Sequence, residues 1–242
     1  MYYYKLREGI AMLELVFSIV IMGIVMMSAP MLVSQANKGT LIGTQQEAIA
    51  AGATDIGLIL TRHWDANDTN ESLESPILAT NSGQILLGED NRTGNPTGLR
   101  VGMPPLSTRS FLTARGTRLN ASIIGQDGNM SDFNDIDDYN GDTHFLQNSG
   151  STTTATGDYL DRGLTFTTTV SYVSDAPTGG TAYSGTTLNF DFNSNAIATT
   201  SNIKLITIRV QSNSVAVELQ KDIILRAFSC NIGTYSLAKR IM

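Results

Sequence analysis

The sequence predicts an α+β chain in which one long N-terminal helix precedes a loop-rich stretch and a C-terminal antiparallel sheet. Three observations predict it. Ile10–Val33 is a 24-residue apolar run with a single charge, Glu14. Helical spacing continues past that run, with Ile42, Ile49 and Ile56 seven residues apart. From Leu164 onward, apolar and polar residues alternate with the period of a strand.

The apolar run comes first. As a helix its 24 residues span about 36 Å at 1.5 Å per residue, enough for a bilayer core. Lys5 and Arg7 precede it, so the positive-inside rule keeps the N-terminus cytoplasmic and exports the chain beyond Val33. The run is too long for the apolar core of a secretory signal peptide, although Ser34-Gln35-Ala36 has the small-x-small pattern of a cleavage site. A plain membrane anchor leaves Glu14 without a reason, since a lone carboxylate in lipid costs a few kcal/mol. Gly23 and Pro30 lie inside the run as potential helix breakers. The helix is expected to continue over 34–64, as far as Arg62–Trp64, where the polar run Asp65–Glu71 stops it. Its stripe Ile42/Ile49/Ile56 is expected to pack on the apolar face of the sheet.

The segment Arg7-Glu8-Gly9-Ile10-Ala11-Met12-Leu13-Glu14-Leu15-Val16 resembles the processing site of type IV prepilins and pseudopilins. In that family a short basic leader ends in Gly, and a Glu stands fifth in the mature chain. Phe and Thr usually open the mature chain, where this sequence has Ile10 and Ala11. The resemblance implies a leader over 1–9, with cleavage and N-methylation at Gly9 and Ile10 by a prepilin peptidase. It assigns 10–33 to the transmembrane half of the helix and 34–64 to its exported half. It gives Glu14 the setting of axial register, by pairing with the terminal ammonium of a neighbouring subunit. It makes Gly23 and Pro30 the region where the helix bends, or melts on assembly. The implied partners are other pilin or pseudopilin subunits, an inner-membrane assembly platform and the lipid bilayer. The implied fold is pilin-like, with the helix packed on a C-terminal sheet.

Residues 65–163 read as a loop-rich region rich in Asn, Asp, Gly, Pro and Ser, with short apolar pieces at Pro76–Ala79, Gln84–Leu87, Leu99–Val101, Ser110–Leu112 and Ala121–Ile124. Residues 164–242 read as the sheet. Leu164–Val173 puts Leu164, Phe166, Thr168, Val170 and Tyr172 on one face. Asn202–Gln211 puts Ile206, Ile208 and Val210 on one face and Ile203, Leu205, Thr207 and Arg209 on the other. Thr186–Phe192, Val215–Leu219 and Asp222–Phe228 are further strand signals, and the short turns between them favour antiparallel pairing.

The acidic segment 132–142 holds Asp132, Asp135, Asp137, Asp138 and Asp142, with Asn140 and Gly141 among them. Two readings stay open there. One is a solvated acidic turn. The other is a Ca²⁺ site with Asp135, Asp137, Asp138, Asn140 and Asp142 as oxygen ligands, although the EF-hand spacing is absent. Ile136-Asp-Asp-Tyr-Asn-Gly is similar to a segment of minor pilins of the MSHA type, and Ile223–Gly233 is similar to the last strand of such proteins.

Composition narrows the function. With 16 Lys and Arg against 22 Asp and Glu, the net charge of −6 gives no sign of a nucleic-acid partner. The single Cys, Cys230, forbids a disulfide within the chain and reads as a buried thiol. Phosphate-binding, dinucleotide, zinc-protease and hydrolase motifs are missing, and His63 and His144 have no nucleophile nearby in sequence. The sequence therefore predicts a structural subunit with no catalytic residues and no cofactor beyond the candidate Ca²⁺. The alternative is an exported, membrane-anchored binding module that enters no filament.

Overall fold

The computed structural model describes residues 4–68, 75–81, 98–100, 102–104, 107–113, 116–125, 133–146, 164–178, 187, 189, 194–212 and 220–234. It divides into two units, Met1–Ala48 and Ile49–Met242.

Helix α1 (Tyr4–Leu60) supplies the whole described part of the first unit and opens the second. From Met12 to Val33 its large apolar side chains are 52–83% exposed, which in water would be an unfavourable surface. By length and composition the helix is able to cross a membrane. It runs unbroken through Gly23 and Pro30. A proline deletes one donor from the ladder, and the intact bonds on either side carry the helix past it.

The second unit begins with the last three turns of α1. The face it buries differs from the expected stripe. Ile49 is 39% exposed and Ile56 only half-buried, whereas Gly52 and Ile59 are buried; Ile42, in the first unit, is 54% exposed. The cause is close approach. A Cβ placed on Gly52 would lie 2.5 Å from Cδ1 of Leu225 and 3.4 Å from Cγ2 of Val210. The sheet thus sits against a glycine of the helix, and Ile49 of the expected stripe turns to solvent.

The helix ends at Leu60, a few residues before the expected Arg62–Trp64. The amides of Thr61 and Arg62 donate to Leu58 O (3.1 Å) and Ile59 O (3.0 Å), tightening the last turn. The chain then leaves the helix axis because Trp64 and Asp65 enter the core.

Four strands form one antiparallel sheet in the order β1-β2-β3-β4: β1 (Thr143–Leu146), β2 (Leu164–Val173), β3 (Ile203–Ser212) and β4 (Asp222–Cys230). Register runs from Leu164↔Ser212 to Val173↔Ile203 between β2 and β3, and from Ile203↔Cys230 to Gln211↔Asp222 between β3 and β4. The faces follow the alternation. Leu164, Phe166, Thr168, Val170 and Tyr172 of β2 are buried, as are Lys204, Ile206, Ile208 and Val210 of β3. β1 falls in the stretch read as loop-rich; four residues are too few to show a period. Thr186–Phe192 lies almost wholly outside the described residues, as do Gln84–Leu87 and Val215–Leu219 entirely.

The loop-rich region is well tied where it is described. Ile77 and Leu78 are fully buried, and Phe111 is 6% exposed. Buried Asn231 imitates a strand: its Nδ2 donates to Leu78 O (2.7 Å) and its Oδ1 accepts from Leu78 N (3.0 Å). Cys230 is half-buried at the end of β4, not fully buried as expected, because β4 exposes alternate residues.

Gly52→Leu should destabilise the second unit by about 1–3 kcal/mol through overpacking against Leu225 and Val210. Denaturant unfolding of the full chain in detergent measures it. An unchanged midpoint would mean that the sheet does not need the helix this close.

Candidate functional site

Two places are candidates. The first is the N-terminal segment. Gly9, Ile10 and Glu14 lie on the continuous helix α1, with Ile10 and Glu14 one turn apart and so on the same side of it. The Glu14 side chain is exposed, and its carbonyl accepts from Ser18 Oγ at 2.8 Å.

The second lies at the junction of the helix end, the acidic segment and the sheet. Lys204 is fully buried on the core face of β3. Its Nζ donates to Trp64 O (2.7 Å) and to Asp65 Oδ2 (3.0 Å), and lies 2.6 Å from Asp137 Oδ1. The ammonium also sits 4.2 Å from the Trp64 ring centre and 5.2 Å from that of Tyr172. Asp65, also fully buried, accepts from the amides of Asn67 (3.1 Å) and Ser122 (3.0 Å) and from the Tyr172 hydroxyl (3.3 Å). Ser122 Oγ donates to Asp137 Oδ2 at 3.1 Å, and the Tyr172 hydroxyl also donates to Ser122 O at 2.8 Å.

The acidic segment is not a solvated turn. Asp135, Asp137 and Asp138 are all less than 9% exposed. One oxygen each of Asp135 and Asp138 is taken up locally, while Asp135 Oδ2 is buried without a hydrogen-bond partner. Asp135 Oδ1 accepts from the amides of Asp137 (2.6 Å) and Asp138 (3.2 Å), and Asp138 Oδ2 from those of Asn134 (2.9 Å) and Asp135 (3.2 Å). Asn140 Oδ1 accepts from Val170 N at 3.0 Å. Asp142 stands 3.4 Å from His144 Nδ1. Among the described residues, no group of three or more His, Cys, Asp or Glu side chains converges as a metal-ligand set. The five residues expected as Ca²⁺ ligands have backbone amides, Lys204 and His144 among their neighbours.

Both histidines pair with acids. His144 sits in β1, just beyond the acidic segment. It stacks on Phe166 with ring centres 5.0 Å apart, and its Nε2 is 3.1 Å from Asp55 on α1. His63 Nδ1 is 3.3 Å from Asp68.

Lys204, Asp65, Ser122 and Tyr172 were not singled out in the sequence. One signal for them exists: Lys204 has the strand phase of Ile206, Ile208 and Val210, so period-two reading alone puts a lysine in the core.

Burial sets the electrostatics. It pushes the Asp135 carboxyl up to about 7, helped by the like charges of Asp137 and Asp138. Burial raises Asp137 to about 6 against the opposing pull of Lys204, and raises Asp68 to about 6 against that of His63. The Tyr172 hydroxyl is also pushed up, first by burial and then by Asp65.

Asp135 and Asp68 bind their protons more tightly in the folded chain than in the unfolded one. Between pH about 4 and about 7 the folded state holds the extra protons, so stability falls as pH rises through that window. The unfolding midpoint of the full chain in detergent should be higher at pH 5 than at pH 7.5. Asp135→Asn keeps an acceptor for the two amides and removes the charge; it should flatten the profile and gain about 1–3 kcal/mol at pH 7.5. Parallel profiles for the two chains would count against this account.

A scan against protein-family models and searches of curated proteins and of solved structures found no match to this chain.

Proposed function

We propose that this protein is a minor pilin or pseudopilin, a single-pass subunit of a bacterial inner membrane. A prepilin peptidase cuts it after Gly9 and methylates Ile10, and it is assembled into a type IV pilus or a type II secretion pseudopilus. One observation carries the reading: Gly9 directly precedes a 24-residue apolar run whose one carboxylate, Glu14, is fifth from the cut.

The physics gives that carboxylate a task. A lone carboxylate in lipid is unfavourable, and so is the ammonium that cleavage creates at Ile10. Packing two subunits with a stagger that brings one ammonium to another's Glu14 lets each charge compensate the other and selects the axial register. The exposed apolar length of α1 supports the same reading, because it serves as a membrane span before assembly and as a helix-packing surface afterwards. Gly23 and Pro30 are the places where that helix yields most easily when neighbours pack on it. A large, loop-rich second unit fits a subunit used in few copies better than one repeated along a whole filament.

Mass spectrometry of the protein from its native cell should find N-methyl-Ile10 as the first residue. An intact Met1, or a start at Asn37, would overturn the proposal in favour of an anchored or secreted binding module. Glu14→Ala should insert in the membrane normally and be lost from sheared filaments or pseudopili. Its recovery there at the parental level would remove the register role.

A further inference from the structure

We propose that Lys204 and Asp137 are joined by an intramolecular isopeptide bond, formed within the folded second unit with Asp65 as proton carrier. This modification is independent of the filament reading. Three observations carry it.

The first is distance. A nitrogen 2.6 Å from a carboxyl oxygen is one C–O bond from the carbon it would attack, and near-attack conformers hold reacting atoms about 3–3.5 Å apart. The second is the quality of that contact. Asp137 Oδ1 is buried, yet the Lys204 nitrogen beside it does not meet it with hydrogen-bond geometry, whereas the same nitrogen bonds normally to Trp64 O and Asp65 Oδ2. The third is the surroundings. Lys204 and Asp65 are fully buried and Asp137 is 4% exposed, with the Trp64 and Tyr172 rings against the amine. Such a site holds little water to reverse a condensation, and it favours the neutral amide over two desolvated charges.

The remaining groups have places in the step. Asp65 Oδ2, 3.0 Å from Nζ, takes a proton from the ammonium and frees its lone pair. The lone pair forms the new N–C bond at Cγ of Asp137. Ser122 Oγ, donating to Oδ2 at 3.1 Å, steadies the charge that develops on that oxygen. The C–Oδ1 bond then breaks and takes its electron pair to oxygen. Oδ1 leaves as water with two protons from Nζ, the first carried by Asp65 and the second released as the amide forms. Ammonium plus carboxylate become amide plus water, with no change in charge and no oxidant. In water this condensation is unfavourable. Fixed neighbours supply effective concentrations of about 10⁵–10⁸ M, which is the advantage that the folded site provides.

Tryptic peptide mapping of the full chain, purified in detergent and unfolded before digestion, tests the bond. No Lys or Arg lies between 119 and 161, and between 163 and 209 the cleavage sites are Lys204 and Arg209. The bond would block cleavage at Lys204. The expected product is a branched peptide joining 119–162 to 163–209, lighter by one water than the two together, with fragment ions that place the branch on Asp137 and Lys204. Asp65→Asn should give the separate peptides at full mass while the protein keeps a cooperative unfolding transition, and Ser122→Ala should slow linkage after refolding. Separate full-mass peptides from the parental chain would overturn the proposal. A branch on Asp65 would overturn its assignment to Asp137, and a fully linked Asp65→Asn chain would overturn the role of Asp65.

Discussion

A lysine delivered between two carboxylates in a dry core is the constraint on which assembly of the second unit depends. Lys204 comes from β3, Asp65 from the turn after α1, and Asp137 from the acidic segment. None of the three tolerates burial alone, because an isolated charge in a core costs far more than any single packing contact returns. Each therefore holds the other two elements in place. A purely apolar junction of the same volume would be as stable or more so, but it would accept many relative placements. The charged one accepts few, because Trp64 O, Ser122 and Tyr172 must also be satisfied together.

The same junction explains how a chain with one cysteine organises so much irregular backbone. The pieces around Ile77, Phe111 and Ser122 form almost no regular structure, yet they have buried anchors and definite backbone partners: Ile77 N to Ser110 O, Ala79 N to Leu119 O, and Ala121 N to Ala79 O. The last of these pieces reaches the polar cluster through Ser122, which bonds Asp65 and Asp137. Close approach of Gly52 to Leu225 brings the helix against the other part of the sheet. His144, bridging Asp55 and Asp142, adds a link between helix and sheet near β1.

Much of this architecture was legible in the sequence, for definite reasons. Helix α1 shows itself through a long apolar run, and β2 and β3 through a period of two, so the residues sharing each face were readable one by one. What was not legible depended on distance in the chain. The helix face was misread because large isoleucines mark a stripe more loudly than Gly52 does, and only the position of Leu225 makes a glycine the contact. The acidic segment looked solvated because its counter-charge lies 67 positions away in β3, where Lys204 is one polar residue in a strand. β1 was missed because its four residues are a strand only by virtue of β2 beside them.

The sequence separations in this cluster also set an order of events. Lys204 meets Asp65 across 139 residues, whereas the turns that gather Asp135, Asp137 and Asp138 close over two to four. Local turns form early and long loops close late, because loop-closure entropy must be overcome before distant contacts return anything. The carboxylates thus assemble first as a self-repelling knot, and the unit stays open until β3 delivers the cation. Arrival of residue 204 is then the event that commits the chain, and a nascent chain ending short of it would hold its acidic segment without a counter-charge.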